Sequence, residues 1–327
     1  MADTRSFEKM EREGWSTPAI AKGYADGFEM ASRLVAQKLT DAVGAGPNTK
    51  VLDVCTGHGV VAAALVARGA TVIGLDFSEP MIALARSNVP DARFVQGDAM
   101  ALDFPDESFD AVTIGFGVPH FPDTPRGFAE AARVLKPGGR IAFSIWHGKG
   151  SDGSFGWLFD SVGRLADPTI TLPEGPDAHV LVDIAVAKPM VESAGFDDVQ
   201  LLEVASEVTV PRPEALFELF DGGAVRAASL LNRQPKERRD AIQKDLAMRT
   251  RSEATKGRQG YLVPAPSVVI SAVRTGNCLV SAIRECQTRP GAGGPASRTS
   301  ANPAGCSVTP TASPTPRCGR TNARRRR

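Results

Sequence analysis

The chain has 327 residues, 42% hydrophobic, enough for one large domain or two small ones with a buried core. No apolar run reaches transmembrane length, and the N-terminal stretch MADTRSFEKMEREGW is too polar for a signal peptide, so a cytoplasmic protein without a membrane span is expected. The net charge of +1 conceals nine Arg and one Glu after residue 274, leaving 29 basic against 36 acidic residues in 1–274, a body with no basic footprint for nucleic acid.

Residues 28–43 place apolar side chains at helical spacing. A short apolar strand over 50–54 follows, then a helix over 59–68, a second strand over 71–75 and a helix over 78–87 with Ser78 as N-cap and Pro80 in its first turn. Strands are expected at 92–95 and 109–114, a helix at 125–135, a turn at Lys136-Pro137-Gly138-Gly139 and a fifth strand at 140–146. Strands alternating with helices of this length predict βαβ units and a parallel sheet. Beyond Trp146 the sequence reads as a loop-rich stretch, a helix over 183–194, a strand over 199–204, two or three helical pieces over 213–254 and one final strand over 261–273.

The segment 275–327 is rich in Pro, Gly, Ser, Thr and Arg, with hardly a large apolar residue after Ile283. It has too little apolar surface to offset its ordering entropy and reads as a disordered tail. Its abrupt change of composition fits a frameshifted or read-through end. Four of the five cysteines lie there, in spacings that match no compact zinc pattern, and no metal site is expected.

The stretch VLDVCTGHGVVA carries the functional question. A strand ends in an acid, turns through Gly57 and Gly59 and opens a helix, a geometry that lets a ligand approach the backbone. Gly57, Gly59 and Ala62 satisfy the loose dinucleotide fingerprint, with Asp76 at the end of the next strand. Against a pyrophosphate stand Asp53, which would repel it by about 1 kcal/mol or more, and the lack of any Lys or Arg in the turn. A ligand bearing an ammonium or sulfonium group suits Asp53, and ribose hydroxyls suit Asp76.

VLDVCTGHG, VIGLDFSEPMIALAR, FVQGDAMALDFPDESFDAV, IGFGVPHF and RVLKPGGRIAFSIW together resemble the class I S-adenosylmethionine-dependent methyltransferases, in the branch that includes the ubiquinone and menaquinone methyltransferases. The strong likeness spans residues 50–146, a weaker one 24–274, and none the tail. It implies a Rossmann-like α/β fold: a seven-stranded, mostly parallel sheet with helices on both faces and an inserted helical cap near the C-terminal strands. It implies an N-terminal helical segment, 1–45, closing over the cofactor, and a methyltransferase domain, 46–274. Within that domain 46–146 would hold S-adenosylmethionine, and 147–260 would supply the acceptor side. By the same resemblance, Asp53 faces the methionine amino group, directly or through water. Thr56, Gly57, His58 and Gly59 line its methionyl and ribose side. Asp76 holds the ribose hydroxyls, Phe77 and Met81 cover the adenine, and Asp98 accepts from the adenine amine beside Ala99. Gly115 and Phe116 lie near the sulfonium, and Tyr24 closes over the cofactor. The family often has Gly where this chain has Cys55.

Methyl transfer from a sulfonium is an in-line displacement in which the protein chiefly positions and desolvates. A general base depends on the acceptor, and His120, after the fourth strand, is the candidate. Phe121, Trp146 and Trp157 are candidates for an apolar acceptor wall, although each is also ordinary core material. A small-molecule methyl acceptor is the expected partner. A NAD-dependent oxidoreductase and a non-catalytic S-adenosylmethionine-binding protein are the competing readings.

Overall fold

The computed structural model describes residues 4–276, so the 275–327 tail lies almost wholly outside the described residues. Two helices, α1 (Arg5–Trp15) and α2 (Pro18–Ala42), precede the alternating pattern. It runs β1 (Lys50–Val54), α3 (Val60–Ala67), β2 (Thr71–Asp76), α4 (Glu79–Asn88), β3 (Arg93–Gln96), β4 (Phe109–Ile114), α5 (Thr124–Val134) and β5 (Leu135–Trp146). Then come α6 (Ser154–Leu165), α7 (Ile184–Ser193), β6 (Phe196–Val204), β7 (Glu207–Val210), α8 (Ala215–Gly223), α9 (Val225–Leu231), α10 (Lys236–Glu253), β8 (Thr255–Gly257), β9 (Gly260–Pro264) and β10 (Ser267–Arg274).

Among the described residues the main sheet has seven strands in the order β3-β2-β1-β4-β5-β10-β6. β1 pairs in parallel with β2 and β4, and β10 runs antiparallel between β5 and β6. This is the expected mostly parallel sheet. The apolar side chains of one face pack with α2, α3 and α8, those of the other with α5 and α7. Along β1 the period of two sends Leu52 and Val54 to the α5 side and Val51 and Asp53 to the α3 side. The strand's one acid therefore points into the protein, beneath the turn that follows. The switch of strand order between β1 and β4 opens the sheet's carboxyl edge there, where ligands of such sheets bind.

Several boundaries differ from expectation. α2 begins ten residues before residue 28, with Pro18 in its first turn, because Gly23 and Gly27 interrupt the apolar spacing without interrupting the helix. α6 occupies part of the expected loop, its apolar stripe obscured by Gly156 and Gly163. The single final strand is two, split at Ala265-Pro266. Pro266 has no N–H to donate. Ala265 is instead clamped by Ser206, whose carbonyl accepts from the Ala265 N–H at 2.7 Å and whose hydroxyl donates back to the Ala265 carbonyl at 2.6 Å. β9 thereby leaves the main sheet and pairs with β7 and β8 in a small antiparallel sheet, which joins α8–α10 in the insertion between β6 and β10. Lys136–Gly139 is a bulge within β5, whose pairing with β4 jumps from Leu135 to Arg140.

α2 and α8 cross closely at glycines. A Cβ on Gly23 would lie 2.2 Å from the Gly222 carbonyl oxygen, a backbone atom that cannot swing away. Gly23→Ala is therefore expected to destabilise the protein by about 1–3 kcal/mol through overpacking, outweighing the ~1 kcal/mol helix-propensity gain. Chemical denaturation measures this; an unchanged or raised midpoint would show that the crossing is loose.

Candidate active site

The turn from β1 to α3 is built on two buried carboxylates. Asp53, with no exposed surface, accepts from the hydroxyls of Thr56 at 2.6 Å and Thr113 at 2.7 Å. Thr113 reaches it because β1 and β4 pair in register at Asp53 and Thr113, on one face of the sheet. Burial pushes the Asp53 carboxyl up to about 6, against the pull of these two hydroxyls. Asp76, at the end of β2, accepts from the backbone N–H of Gly57 at 3.0 Å and of Ser78 at 2.9 Å. Its carboxyl also lies above the usual carboxylate range, burial again being the main cause.

Cys55 and Gly59 both adopt positive φ, 55° and 90°. At Gly59, the N-cap of α3, a side chain would press on Ala85 and Val89 of the α4 end. At Cys55 the conformation that glycine would take freely is held by a side chain, at a cost of about 1–3 kcal/mol. Gly117 makes room: a Cβ there would meet Cys55 Sγ at 2.8 Å.

Two cavities meet at this turn. The first is lined by Tyr24, Ser32, Val35 and Leu39 of α2, by Cys55–His58 and by Val60, Val61, Gly115 and Phe116. Here His58 is buried, its Nε2 has no partner among the described residues, and burial holds the imidazole below its ordinary pKa, hence neutral. The second is lined by Trp15, Tyr24, Cys55, Gly57, Asp76, Phe77, Met81, Gly115, Phe116, Gly117 and His120. Tyr24, Cys55, Gly57, Gly115 and Phe116 border both. Phe116 is fixed by its N–H, which donates to Ser144 Oγ at 3.0 Å, and by flat stacking on Trp146 at 3.7 Å.

The fold thus gathers Tyr24, Thr56, Gly57, His58, Asp76, Phe77, Met81, Gly115, Phe116 and His120 around connected space. The other expected site residues lie elsewhere. Asp53 lies under the turn, both oxygens held by threonines, so any influence on a ligand passes through Thr56. Gly59 faces α4, and Ala99 is buried in the core on the α5 side. Asp98 lines neither cavity; it accepts from Arg12 at 2.6 Å and from the Met100 N–H at 2.8 Å. Phe121, Trp146 and Trp157 are buried in the core and line neither cavity, and Trp157 Nε1–H is taken by Asp152.

Sequence reasoning did not count Cys55 as a lining residue and named no site residue within α1, although it expected a helical segment there. Phe7, Glu11 and Trp15 recur at intervals of four and form the buried stripe of α1. Trp15 enters the second cavity, and the Trp15 carbonyl accepts from Ser78 Oγ at 2.6 Å, while Ser78 also caps α4. Arg12 stands over the Phe77 ring, 5.2 Å from its centroid. A Glu on the inward stripe of an amphipathic helix was the available signal.

A family model described as a methyltransferase domain matches residues 52–143. A demethylmenaquinone methyltransferase of Renibacterium salmoninarum is 45% identical over 103 residues, which are 32% of this chain and 44% of that protein. One from Mycobacterium sp. (strain JLS) is 36% identical over 169 residues, 49% of this chain and 72% of that protein. The chain spans less than half the length of several other relatives of that name. Among solved structures, phosphoethanolamine N-methyltransferase 2 of Haemonchus contortus in complex with S-adenosyl-L-methionine shares the fold at a TM-score of 0.51. Its sequence identity is 19%, covering 83% of this chain and 60% of that one. No helix among the described residues is long and apolar enough to cross a membrane.

Asp53 gives a stability prediction. Its folded-state pKa is raised, so folding favours its protonated form, and that contribution is lost as pH climbs from about 4 through about 6. Asp53→Asn removes the charge while keeping partners for both threonine hydroxyls. The variant's stability relative to the parent is expected to rise across that window and level off above it, by about 3 kcal/mol at most. Denaturation at a series of pH values measures the difference; a gap independent of pH would show that Asp53 titrates normally.

Proposed function

We propose that this chain, which belongs to the class I S-adenosylmethionine-dependent methyltransferases, transfers a methyl group to a small aromatic acceptor bearing a hydroxyl group, such as a quinol. The observation that carries the reading is the pair of buried carboxylates at one turn, Asp53 below it and Asp76 facing the cavity. The N–H of Gly57, which a pyrophosphate would claim, is already given to Asp76. Such a turn suits ribose hydroxyls and a positively charged ligand, and disfavours NAD.

S-adenosylmethionine, when bound, supplies the methyl group and a thioether leaving group. Asp76, steadied by two backbone N–H groups, has lone pairs left to accept from both ribose hydroxyls. Phe77 and Met81 offer an apolar slot for adenine. Tyr24, Thr56 and His58 take the methionyl end, where the unpartnered Nε2 of His58 is a ready hydrogen-bonding atom. Gly115 and Phe116, at the junction of the cavities, border the reacting methyl. His120 takes the acceptor's proton at Nε2. The acceptor's electron pair forms the new bond to the methyl carbon, and the pair of the broken carbon–sulfur bond stays on sulfur. Alignment of these parts accounts for roughly 7–11 kcal/mol of barrier lowering.

The quinol-like acceptor is supported by the names of the relatives, demethylmenaquinone methyltransferases. The family model ends at residue 143 and does not cover the elements beyond it, which would face the acceptor. A soluble cytoplasmic enzyme acting without a metal and without nucleic acid completes the reading.

Calorimetric titration tests it. Micromolar binding of S-adenosylmethionine and S-adenosylhomocysteine, with none of NADH, is expected; NADH alone binding would overturn it. Asp76→Ala is expected to weaken S-adenosylhomocysteine by about 2–3 kcal/mol through loss of charge-assisted bonds to the ribose. Release of S-adenosylhomocysteine with a naphthohydroquinone acceptor separates an enzyme from a protein that only binds the cofactor.

A further inference from the structure

Glu11 is 1% exposed, on the inward stripe of α1. Its Oε1 has no partner among the described residues. A buried carboxylate with one oxygen unpaired weakens the fold, where an apolar side chain of similar size would not. Nothing in the packing of α1 requires it, since Phe7 and Trp15 supply the apolar stripe.

Its other oxygen makes the informative contact. Oε2 lies 2.9 Å from Nδ1 of His120, which is 109 residues away and ends the one-turn 3-10 helix Val118–His120 after β4. Trp15 Nε1 lies 3.2 Å from the same Oε2 and 3.4 Å from Nδ1. An ionised carboxylate only accepts, so Nδ1 carries a proton; the indole N–H then has Oε2 as its sole acceptor. Both ring contacts are with Nδ1, and the imidazole borders the cavity shared with Asp76 and Phe116.

We propose that Glu11 is a positioning residue for His120: it holds the proton on Nδ1 and so leaves Nε2 bare as the proton acceptor. The purpose of this arrangement rests on the methyl-transfer reading above; the arrangement itself does not. As the acceptor's hydroxyl loses its proton to Nε2, the imidazolium formed is flanked by the Glu11 carboxylate at Nδ1 and by the charge of Asp76. The proton returns to solvent once product leaves. The same helix carries Arg12, tied to Asp98 and standing over Phe77. Docking of α1 at the cofactor end therefore also sets the base.

The test is Glu11→Gln, read first by the ring 15N spectrum of His120 in the S-adenosylhomocysteine-bound protein at mildly alkaline pH. The parent is expected to show protonated Nδ1 and bare Nε2. In the variant the Gln amide can turn its NH2 toward Nδ1, and the tautomer shifts toward protonated Nε2. Turnover of a naphthohydroquinone is expected to fall in kcat by about 10- to 100-fold, with the S-adenosylhomocysteine Kd unchanged and partial rescue by Glu11→Asp. Protonated Nε2 in the parent, or the same tautomer in both proteins, overturns the inference whatever the activity. A shifted tautomer with unchanged kcat supports the positioning by Glu11 and overturns instead the base role given to His120.

Discussion

Burial of acid at the carboxyl edge of the sheet is the constraint on which the site depends. Two carboxylates stand in a region that would rather hold none. Each is tolerated because the chain turns back to hydrogen-bond it. Asp53 ties the β1–α3 turn to β4 through Thr113, and Asp76 ties the same turn to the start of α4 through Gly57 and Ser78. Three strand ends are thereby locked together before any ligand arrives. Ser78 extends the chain of dependence outward, since its hydroxyl also holds the last residue of α1. The N-terminal helix is thus fastened to the turn by one short side chain, and brings with it Glu11, Arg12 and Trp15.

Much of this was legible from the sequence, for physical reasons. Short apolar strands alternating with helices mark a mostly parallel core, and Ser78-Glu79-Pro80 is an N-cap on composition alone. The glycine turn between β1 and α3 was legible because its backbone conformation restricts residue type so strongly. The failures have equally physical causes. An acid before a glycine turn is visible; that both its oxygens would be taken by hydroxyls, one of them 60 residues on, is a matter of strand register. Aromatic side chains look alike in a core and in a cavity wall, and only depth distinguishes Phe116, which borders both cavities, from Trp146 stacked behind it. No site residue was read within α1, because only three of its eleven residues are buried and one of those is a Glu.

The two halves of the site differ in how they are built. At the β1–α3 turn, backbone groups and carboxylates at strand ends build the cavity, and the family model covers most of those strands. Beyond β5 the structure is helices and a three-stranded sheet inserted ahead of the last strand, packed through Phe155, Phe217 and Phe220 onto α2. An element added between two strands of a finished sheet can change without disturbing the strands, so acceptor choice can vary while the cofactor side stays as it is.

Cys55 borders both cavities, where the function proposed above would put an alkylating sulfonium. A thiolate there would compete with the acceptor and consume its own reagent, ending in a dead, S-methylated protein. Burial, reinforced by the nearby carboxylates of Asp76 and Asp53, keeps the thiol well above its ordinary pKa. A neutral thiol is a poor nucleophile. On the reading proposed above, the acidity around the turn that would suit a cation also disarms the thiol that lines it.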